Sequence, residues 1–340
     1  MVRPLALSGP PMSTPSAPSS PEQADVLTVT LNPALDLASE VDEVLPGPKL
    51  RCTMPAVDPG GGGINVARAI ARLDGHARAF VPLGGGIGMR LGRLLADEGI
   101  ETVSFEAPGE TRQNLAVTER ATGRQFRFVL PGPDWERARI DAAVAAVAGA
   151  ARPGGIVVLS GSQPPGAGPD LPGDIARALG QVGEVRLVID TSGAPLRVLA
   201  RGHGRHPRPE VLRMDDAEGE EIAGHPLPER ADTAAFARDL VARGAARIVI
   251  VARGADGSVM AAEGQAWHCT AAPVEVRSAI GAGDSFTGAF VLALARGEGP
   301  PEALRRGAAA ASAAVTTEAT RLFEKEAFRA LLPECRLSPM

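Results

Sequence analysis

Apolar residues in this chain come in short unbroken runs separated by longer segments where they recur every three or four positions. That is the pattern of buried strands alternating with amphipathic helices. Val26-Leu27-Thr28-Val29-Thr30-Leu31 predicts a buried strand, and β-rich runs follow at Ala79 to Leu83, Ile156 to Ser160, Val185 to Ile189 and Arg247 to Val251. Val66, Ala69, Ile70 and Leu73 mark one helix, Leu91, Leu94 and Leu95 a second, and the alanine-rich segments near 141–151 and 303–315 two more. Ala282, Phe286, Ala289, Phe290 and Ala293 share one face of a further helix. This order predicts a doubly wound α/β fold, a mainly parallel sheet flanked by helices, in a single domain over 25–335. Thr111 to Leu130 departs from it, with alternating runs at Asn114 to Thr118 and Gln125 to Val129 joined around Thr122-Gly123. It predicts a β-hairpin outside the main sheet. With Val41 to Met54 it would form a small β lid, from about 38–56 and 110–131, over the crevice at the carboxyl ends of the strands.

Composition narrows the function classes. With 340 residues and 44% apolar content the chain can bury a large core. Its 35 basic and 40 acidic side chains give a net charge of −5, and no Lys/Arg-rich run occurs, so nucleic acid is not an expected partner. Cys52, Cys269 and Cys335 are odd in number and far apart, which speaks against a disulfide framework or a cysteine metal site and fits a reducing cytoplasm. No run of ~18 apolar residues could span a bilayer, so no membrane association is expected. Residues 1–24 lack the apolar stretch of a signal peptide and read as a disordered leader, and about 202–210 reads as a surface loop.

Three glycine-rich segments carry the chemistry. Asp58-Pro59-Gly60-Gly61-Gly62-Gly63-Ile64-Asn65 runs directly into the Val66 helix. Four consecutive glycines carry an entropic cost on folding, so they read as room for a ligand against the backbone, with Asn65 pointing into the same space; a flexible turn is the plainer alternative. Gly84-Gly85-Gly86-Ile87-Gly88 lies between a strand and a helix, as a dinucleotide fingerprint does. Neither cluster gives G-x-G-x-x-G, and no G-x-x-x-x-G-K-[ST] occurs, so a nicotinamide-dependent dehydrogenase has little support and a P-loop enzyme none. In Gly281-Ala282-Gly283-Asp284, backbone N–H groups at a helix start offer a phosphate cradle. A carboxylate there repels the phosphate that those donors attract, which suits a general base acting on a hydroxyl about to attack a phosphoryl group. From these residues alone Asp284 reads equally well as an N-cap.

Taken together, Pro59-Gly60-Gly61-Gly62-Gly63-Ile64-Asn65-Val66-Ala67 and Gly281-Ala282-Gly283-Asp284-Ser285 resemble the ribokinase/PfkB carbohydrate kinases. Lys49 to Thr53, Thr111 to Leu115, Phe126 to Val129, Ser160-Gly161-Ser162 with Pro164-Pro165-Gly166, and Thr320-Arg321-Leu322 resemble the phosphosugar branch of that family. The resemblance spans about 27–332. It implies a ribokinase-like fold and an ATP- and Mg2+-dependent kinase acting on a phosphosugar. In sister kinases that use fructose 1-phosphate the glycine run usually carries a lysine. Gly62-Gly63 therefore lean toward fructose 6-phosphate, with fructose 1-phosphate or tagatose 6-phosphate as alternatives.

By resemblance, Asp284 would be the base and Gly281, Ala282 and Gly283 the phosphoryl cradle. Asp36, Gly61, Gly62, Asn65 and Ser162 would hold sugar hydroxyls, and Lys49 and Arg112 the phosphate the sugar already carries. Arg213, Asp215, Ala252, Arg253, Gly254, Gly257 and Thr317 would meet ATP, and Glu218 the metal. The lid would also join two copies into a homodimer. Departures cluster on the nucleotide side. Asp215-Asp216-Ala217-Glu218 stands for the family's Asn-x-x-Glu, Arg213 for a lysine, Ala252 for a small hydroxyl residue, and Thr317 and Ala319 for an Asn and a Gly. These departures leave open a rival from another class, a catalytically weak sugar-phosphate sensor.

Overall fold

The computed structural model describes residues 23–202, 204, 206–317 and 322–340, so most of the expected leader, and Ala319, Thr320 and Arg321, lie outside the described residues. The strands in chain order are β1 (Val26–Val29), β2 (Ala34–Val41), β3 (Ala56–Gly60), β4 (Arg78–Leu83), β5 (Glu101–Glu106), β6 (Arg112–Glu119) and β7 (Gln125–Val129). They continue with β8 (Ile156–Ser160), β9 (Arg186–Asp190), β10 (Val211–Met214), β11 (Ile248–Ala252), β12 (Ser258–Ala262), β13 (Gln265–Cys269) and β14 (Leu337–Pro339). The helices are α1 (Gly62–Arg72), α2 (Gly85–Asp97), α3 (Arg137–Ala150), α4 (Leu171–Leu179) and α5 (Gly193–Ala200). After them come α6 (Asp216–Ala223), α7 (Arg230–Ala242), α8 (Ala282–Ala295), α9 (Pro300–Ala314) and α10 (Lys325–Leu331).

The main sheet has the order β14-β13-β12-β11-β10-β9-β8-β1-β4-β5. From β5 to β11 neighbouring strands are parallel, and β12, β13 and β14 add an antiparallel edge. A strand buried on both faces reads as a mainly apolar run, and β1, β8 and β12, each with one small hydroxyl residue, are buried at every position. One core packs the sheet against α1, α2, α8 and α9, and a second packs the other face against α3, α4, α5 and α7. Helices on both faces make the fold doubly wound. The chain leaves β1 toward β4 and β5 on one side and continues from β8 on the other. That reversal opens a crevice at the carboxyl ends of β1 and β8.

A second sheet has the order β3-β2-β6-β7, with the predicted hairpin forming β6 and β7. The other lid strands differ from expectation. They are β2 and β3, which flank the expected segment, while 42–55 runs between them without a strand and is largely exposed. That segment holds Pro46, Pro48 and Pro55, and proline removes a ladder donor. Helix α8 also differs. The sequence suggests one apolar face, but every residue from Ser285 to Ala295 is buried, because α8 is enclosed by the sheet, α1 and α9. Ala24, the last residue of the expected leader, donates from its backbone N–H to the Ala295 carbonyl at 2.9 Å.

Candidate active site

The crevice is lined by the ends of β1 and β8, the first turns of α1 and α8, and the lid. The glycine run is explained by how closely α1 presses on those strand ends. A Cβ on Gly60 would collide with the Asp36 carboxylate and one on Gly62 with Ser160 Oγ. A Cβ on Gly63 would lie 2.6 Å from the Val29 carbonyl oxygen. Gly61 takes φ 122°, and its Cβ would lie 2.5 Å from Thr30 Cγ2. The protein itself thus fills the space beside each Cα, a reason for the four glycines beyond the expected room for a ligand. Gly61 and Gly62 are half-buried, so a sugar can still reach their backbone.

The three glycine-rich helix starts are not equivalent. At α1 the Ile64 N–H donates to Thr30 Oγ1 at 2.8 Å, and at α2 the Ile87 N–H donates to Glu110 Oε1 at 2.6 Å. Both cradles are plugged from within, which accounts for Gly84 to Gly88 without any dinucleotide. At α8 the N-cap is Gly281, left-handed at φ 74°, and no side chain caps the helix. Orphan N–H groups there can serve a phosphate.

Asp284 occupies the first turn of α8 and does not act as its cap. Its Oδ2 accepts from Asn65 Nδ2 at 2.9 Å and its Oδ1 from Ser160 Oγ at 3.4 Å. Burial raises its carboxyl to about 6, and the neighbouring Asp190 carboxylate adds to the rise, while Asn65, Arg213 and Ser160 oppose it. A base of that strength is mostly ionised at neutral pH yet accepts a proton far better than an exposed aspartate. Asn65 is fixed in turn by Arg68, which is buried, pairs with both oxygens of Glu98 at 2.6 and 2.8 Å, and reaches Asn65 Oδ1 at 3.5 Å.

On the lid side, Asp36 in β2 accepts from Asn114 Nδ2 in β6 at 2.8 Å, and burial raises its carboxyl. A cavity of about 40 Å3 joins Asp36, Asn114 and Arg127 to Ile280, just before Gly281, so the lid meets the phosphoryl cradle. Arg112 donates from Nη2 to the Asn32 carbonyl at 3.0 Å and from Nη1 to the Leu130 carbonyl at 3.1 Å. Asn32 Nδ2 donates to Ser162 Oγ at 3.2 Å, which ties Arg112 to Ser162 across the crevice. Lys49 does not join this cluster: it is exposed on the 42–55 segment and has no ion pair among the described residues. Sequence reasoning missed Asn32, and it quoted Ser160, Asn114 and Arg127 within motifs without giving them a role. The Asn32-Pro33 step at the end of a buried strand was the available signal for the first.

On the nucleotide side, Arg213 lies beneath the cradle. A Cβ on Gly283 would be 2.9 Å from its Nη1, and its guanidinium sits 5.5 Å from the Phe286 ring centroid. It pairs with Asp190 at 3.0 Å, and Asp190 also accepts from Thr287 Oγ1 at 3.0 Å. Asp215 and Glu218 form the capping box of α6. Glu218 N–H donates to Asp215 Oδ1 at 2.8 Å and Asp215 N–H to Glu218 Oε2 at 2.9 Å. Burial raises the Glu218 carboxyl, and the Asp215 and Asp190 charges add to this.

The loop after β11 corrects one expectation, that the Arg253 side chain meets the nucleotide. Arg253 is turned inward, donating to the Leu227 and Pro228 carbonyls at 2.9 and 2.8 Å and pairing with Asp256 at 2.9 Å, so it braces the loop. Hydrogen bonding from Arg230 holds the Asp256 carboxyl down, at about 2. Gly257, at φ 96°, is glycine because a Cβ would collide with the Cys269 carbonyl oxygen. Ala252 is half-buried at the end of β11 and Gly254 is exposed, and Thr317 Oγ1 donates to the Ala314 carbonyl at 2.8 Å just past α9.

Comparison with known proteins agrees with this geometry. The family model described as pfkB family carbohydrate kinase matches residues 29–327. The ATP-dependent 6-phosphofructokinase isozyme 2 of Escherichia coli strain K12 is 38% identical over 301 residues, 87% of this chain and 94% of that one. A 1-phosphofructokinase of Xanthomonas campestris is 32% identical over 268 residues, 79% of this chain and 83% of that one. Among solved structures, phosphofructokinase-2 from Escherichia coli in complex with fructose-6-phosphate superposes with a TM-score of 0.83 at 36% identity, covering 91% of this chain and 98% of that one.

Proposed function

The chain belongs to the pfkB family of carbohydrate kinases, and from that premise we propose that it transfers the terminal phosphoryl group of ATP to the free primary hydroxyl of fructose 6-phosphate, giving fructose 1,6-bisphosphate. One observation carries this reading: a raised, half-buried Asp284 held by Asn65 and Ser160 beside a glycine helix start whose first-turn N–H groups, unlike those of α1 and α2, meet no side-chain acceptor among the described residues. Higher identity to a 6-phosphofructokinase than to a 1-phosphofructokinase supports the acceptor.

In the reaction, Asp36, Asn65 and Ser162 orient the sugar, with the Gly61 and Gly62 backbone beneath it. Arg112 grips the 6-phosphate from the lid, and Lys49, exposed on the 42–55 segment between β2 and β3, would reach it by that segment folding over. Asp284 takes the proton of the attacking hydroxyl as the new O–P bond forms and the bond to the ADP oxygen breaks. Backbone N–H groups of Gly281, Ala282 and Gly283, with Arg213 below them, stabilise charge on the transferring phosphoryl group. Ala252, Gly254 and Gly257 frame the nucleotide, braced by Arg253, and Thr317 lies toward the base.

The donor set fits a magnesium ion. Mg2+ keeps most of its waters and takes one or two carboxylates beside substrate phosphates. Glu218 caps α6 with one oxygen, and its other oxygen has no partner among the described residues. No cluster of three acidic, His or Cys ligands occurs among them either. When bound, the ion would neutralise triphosphate charge, and Asp215 sets the field it meets at Glu218.

The lid exposes Leu115, Phe128, Val129 and Leu130, which supports a homodimer formed through it. Among the described residues no helix is long and apolar enough to cross a membrane, which agrees with a cytoplasmic enzyme. A coupled ADP-release assay over fructose 6-phosphate, fructose 1-phosphate, tagatose 6-phosphate and fructose tests the reading. Fructose 6-phosphate should give the highest kcat/KM. Tight fructose 6-phosphate binding without ADP release from any acceptor would replace the kinase by a sensor.

A further inference from the structure

At the ends of α1 and α8 far from Asp284, a cavity of about 230 Å3 opens between α8, α9 and α10. Its floor includes Leu292 and Phe328, and four cations converge on it: Arg296, Arg306, Lys325 and Arg329. Two of them are matched, Lys325 by Asp74 and Arg306 by Glu298, whose Oε2 lies 2.5 Å from Nε. Among the described residues no carboxylate lies within ion-pair distance of Arg296 or Arg329. Arg296 donates from Nη2 to the carbonyls of Asp74 at 2.9 Å and Leu73 at 3.4 Å. Burial, and then the Arg306 charge, lower its pKa, while the Glu298 carboxylate opposes them from beyond ion-pair distance.

A cation at the end of α8 suits the helix dipole, which explains Arg296 by itself. It does not explain why Arg329, from another helix, lines the same apolar-floored space. Arg296 is half-buried and Arg329 exposed at the rim, and four cations against the two carboxylates of Asp74 and Glu298 leave the cavity lining net positive, so a ligand that brings negative charge gains there. The volume is below the ~300–1,000 Å3 of drug-sized pockets, which favours a small metabolite.

The geometry points to a second small-molecule site here, for a short-chain organic polyanion bearing carboxylate or phosphate groups, bound by Arg296 and Arg329 and coupled to the active site along α1 and α8. Helix α1 begins near Asn65 and ends at the carbonyls that Arg296 holds. Helix α8 begins near Asp284 and ends at Arg296, ~18 Å away at ~1.5 Å per residue. The two helices are pressed together at Gly288, where a Cβ would lie 2.7 Å from Ala69 Cβ. A ligand on Arg296 alters the tie between their far ends, and their near ends carry the Asn65–Asp284 hydrogen bond.

The test is calorimetric titration with citrate and, separately, 2-phosphoglycolate, with fructose 6-phosphate and a non-hydrolysable ATP analogue saturating the active site. At least one probe should bind once per chain, and Arg296→Gln and Arg329→Gln should each weaken it about tenfold, the loss of one charge-assisted hydrogen bond. Citrate alone would assign carboxylate chemistry, and 2-phosphoglycolate alone phosphate chemistry. The bound probe should shift the sugar KM of the wild type, while Arg329→Gln without probe keeps wild-type kcat. No heat from either probe at millimolar concentration, or equal binding by both variants, overturns the site. Binding with unchanged kinetics overturns the coupling. The binding arm does not depend on the assignment of the reaction.

Discussion

Asp284→Asn should stabilise the folded protein, and the gain should depend on pH in a way no N-cap can imitate. In the folded chain the Asp284 carboxyl is raised from 3.8 to about 6, so the native state binds its proton more tightly than the unfolded chain does. A rise of about two pH units corresponds to about 3 kcal/mol, reduced to about 1–2 kcal/mol because water reaches the half-buried group. The sign follows from the direction. Below about pH 4 the group is protonated in both states and the wild type keeps this stability. As the pH climbs through about 6 the folded carboxyl ionises and the stability is lost. The Asn side chain is neutral throughout and can still accept from Asn65. Urea unfolding of both proteins at pH 4 and pH 8 should therefore give equal stabilities at the lower pH, with the variant ahead by about 1–2 kcal/mol at the higher. An equal gap at both pH values, or a less stable variant at pH 8, would refute the assignment of a raised carboxyl.

Three further outcomes follow from the geometry. Arg112→Met should lower kcat/KM for fructose 6-phosphate by about 2–5 kcal/mol while barely changing unphosphorylated fructose, and equal losses would confine Arg112 to bracing Asn32 and Leu130. Asp215→Asn keeps the α6 cap, since Asn caps about as well as Asp, and should change the Mg2+ concentration for half-maximal rate without altering melting temperature or sugar KM; an unchanged Mg2+ response would remove Asp215 from the site. Gly62→Ala should destabilise the fold by about 1–3 kcal/mol through collision with Ser160, and a neutral result by thermal melting would reinstate ligand access as the reason for that glycine.

Much of the fold was legible because its central strands are buried on both faces and so read as unbroken apolar runs, as at Val26 and Ile156. The antiparallel edge was not. Strand β12 opens on Ser258 and closes on two alanines, β13 carries Gln265 and His268, and β14 has three residues ending in Pro339, so none reads as a β-rich run. At the site, Asp284 and Asn65 stood out because they adjoin glycines, but their hydrogen bond spans 219 positions that no local pattern reports. Ser160 and Asp190 were hidden at the last positions of apolar strands, where they look like strand ends. The glycine run was found for an incomplete reason, since conformational cost alone cannot distinguish a ligand from a neighbouring strand. Arg253 was misplaced because its partners Leu227 and Pro228 lie in a distant loop.

Single-turnover conversion of fructose 6-phosphate by wild type and Asp284→Asn, with ATP affinity measured on both, tests the central claim most directly. The account predicts fructose 1,6-bisphosphate from the wild type, turnover reduced by ~10²–10⁴ in the variant, and ATP affinity unchanged or tighter. Near-wild-type turnover by the Asn variant would contradict it.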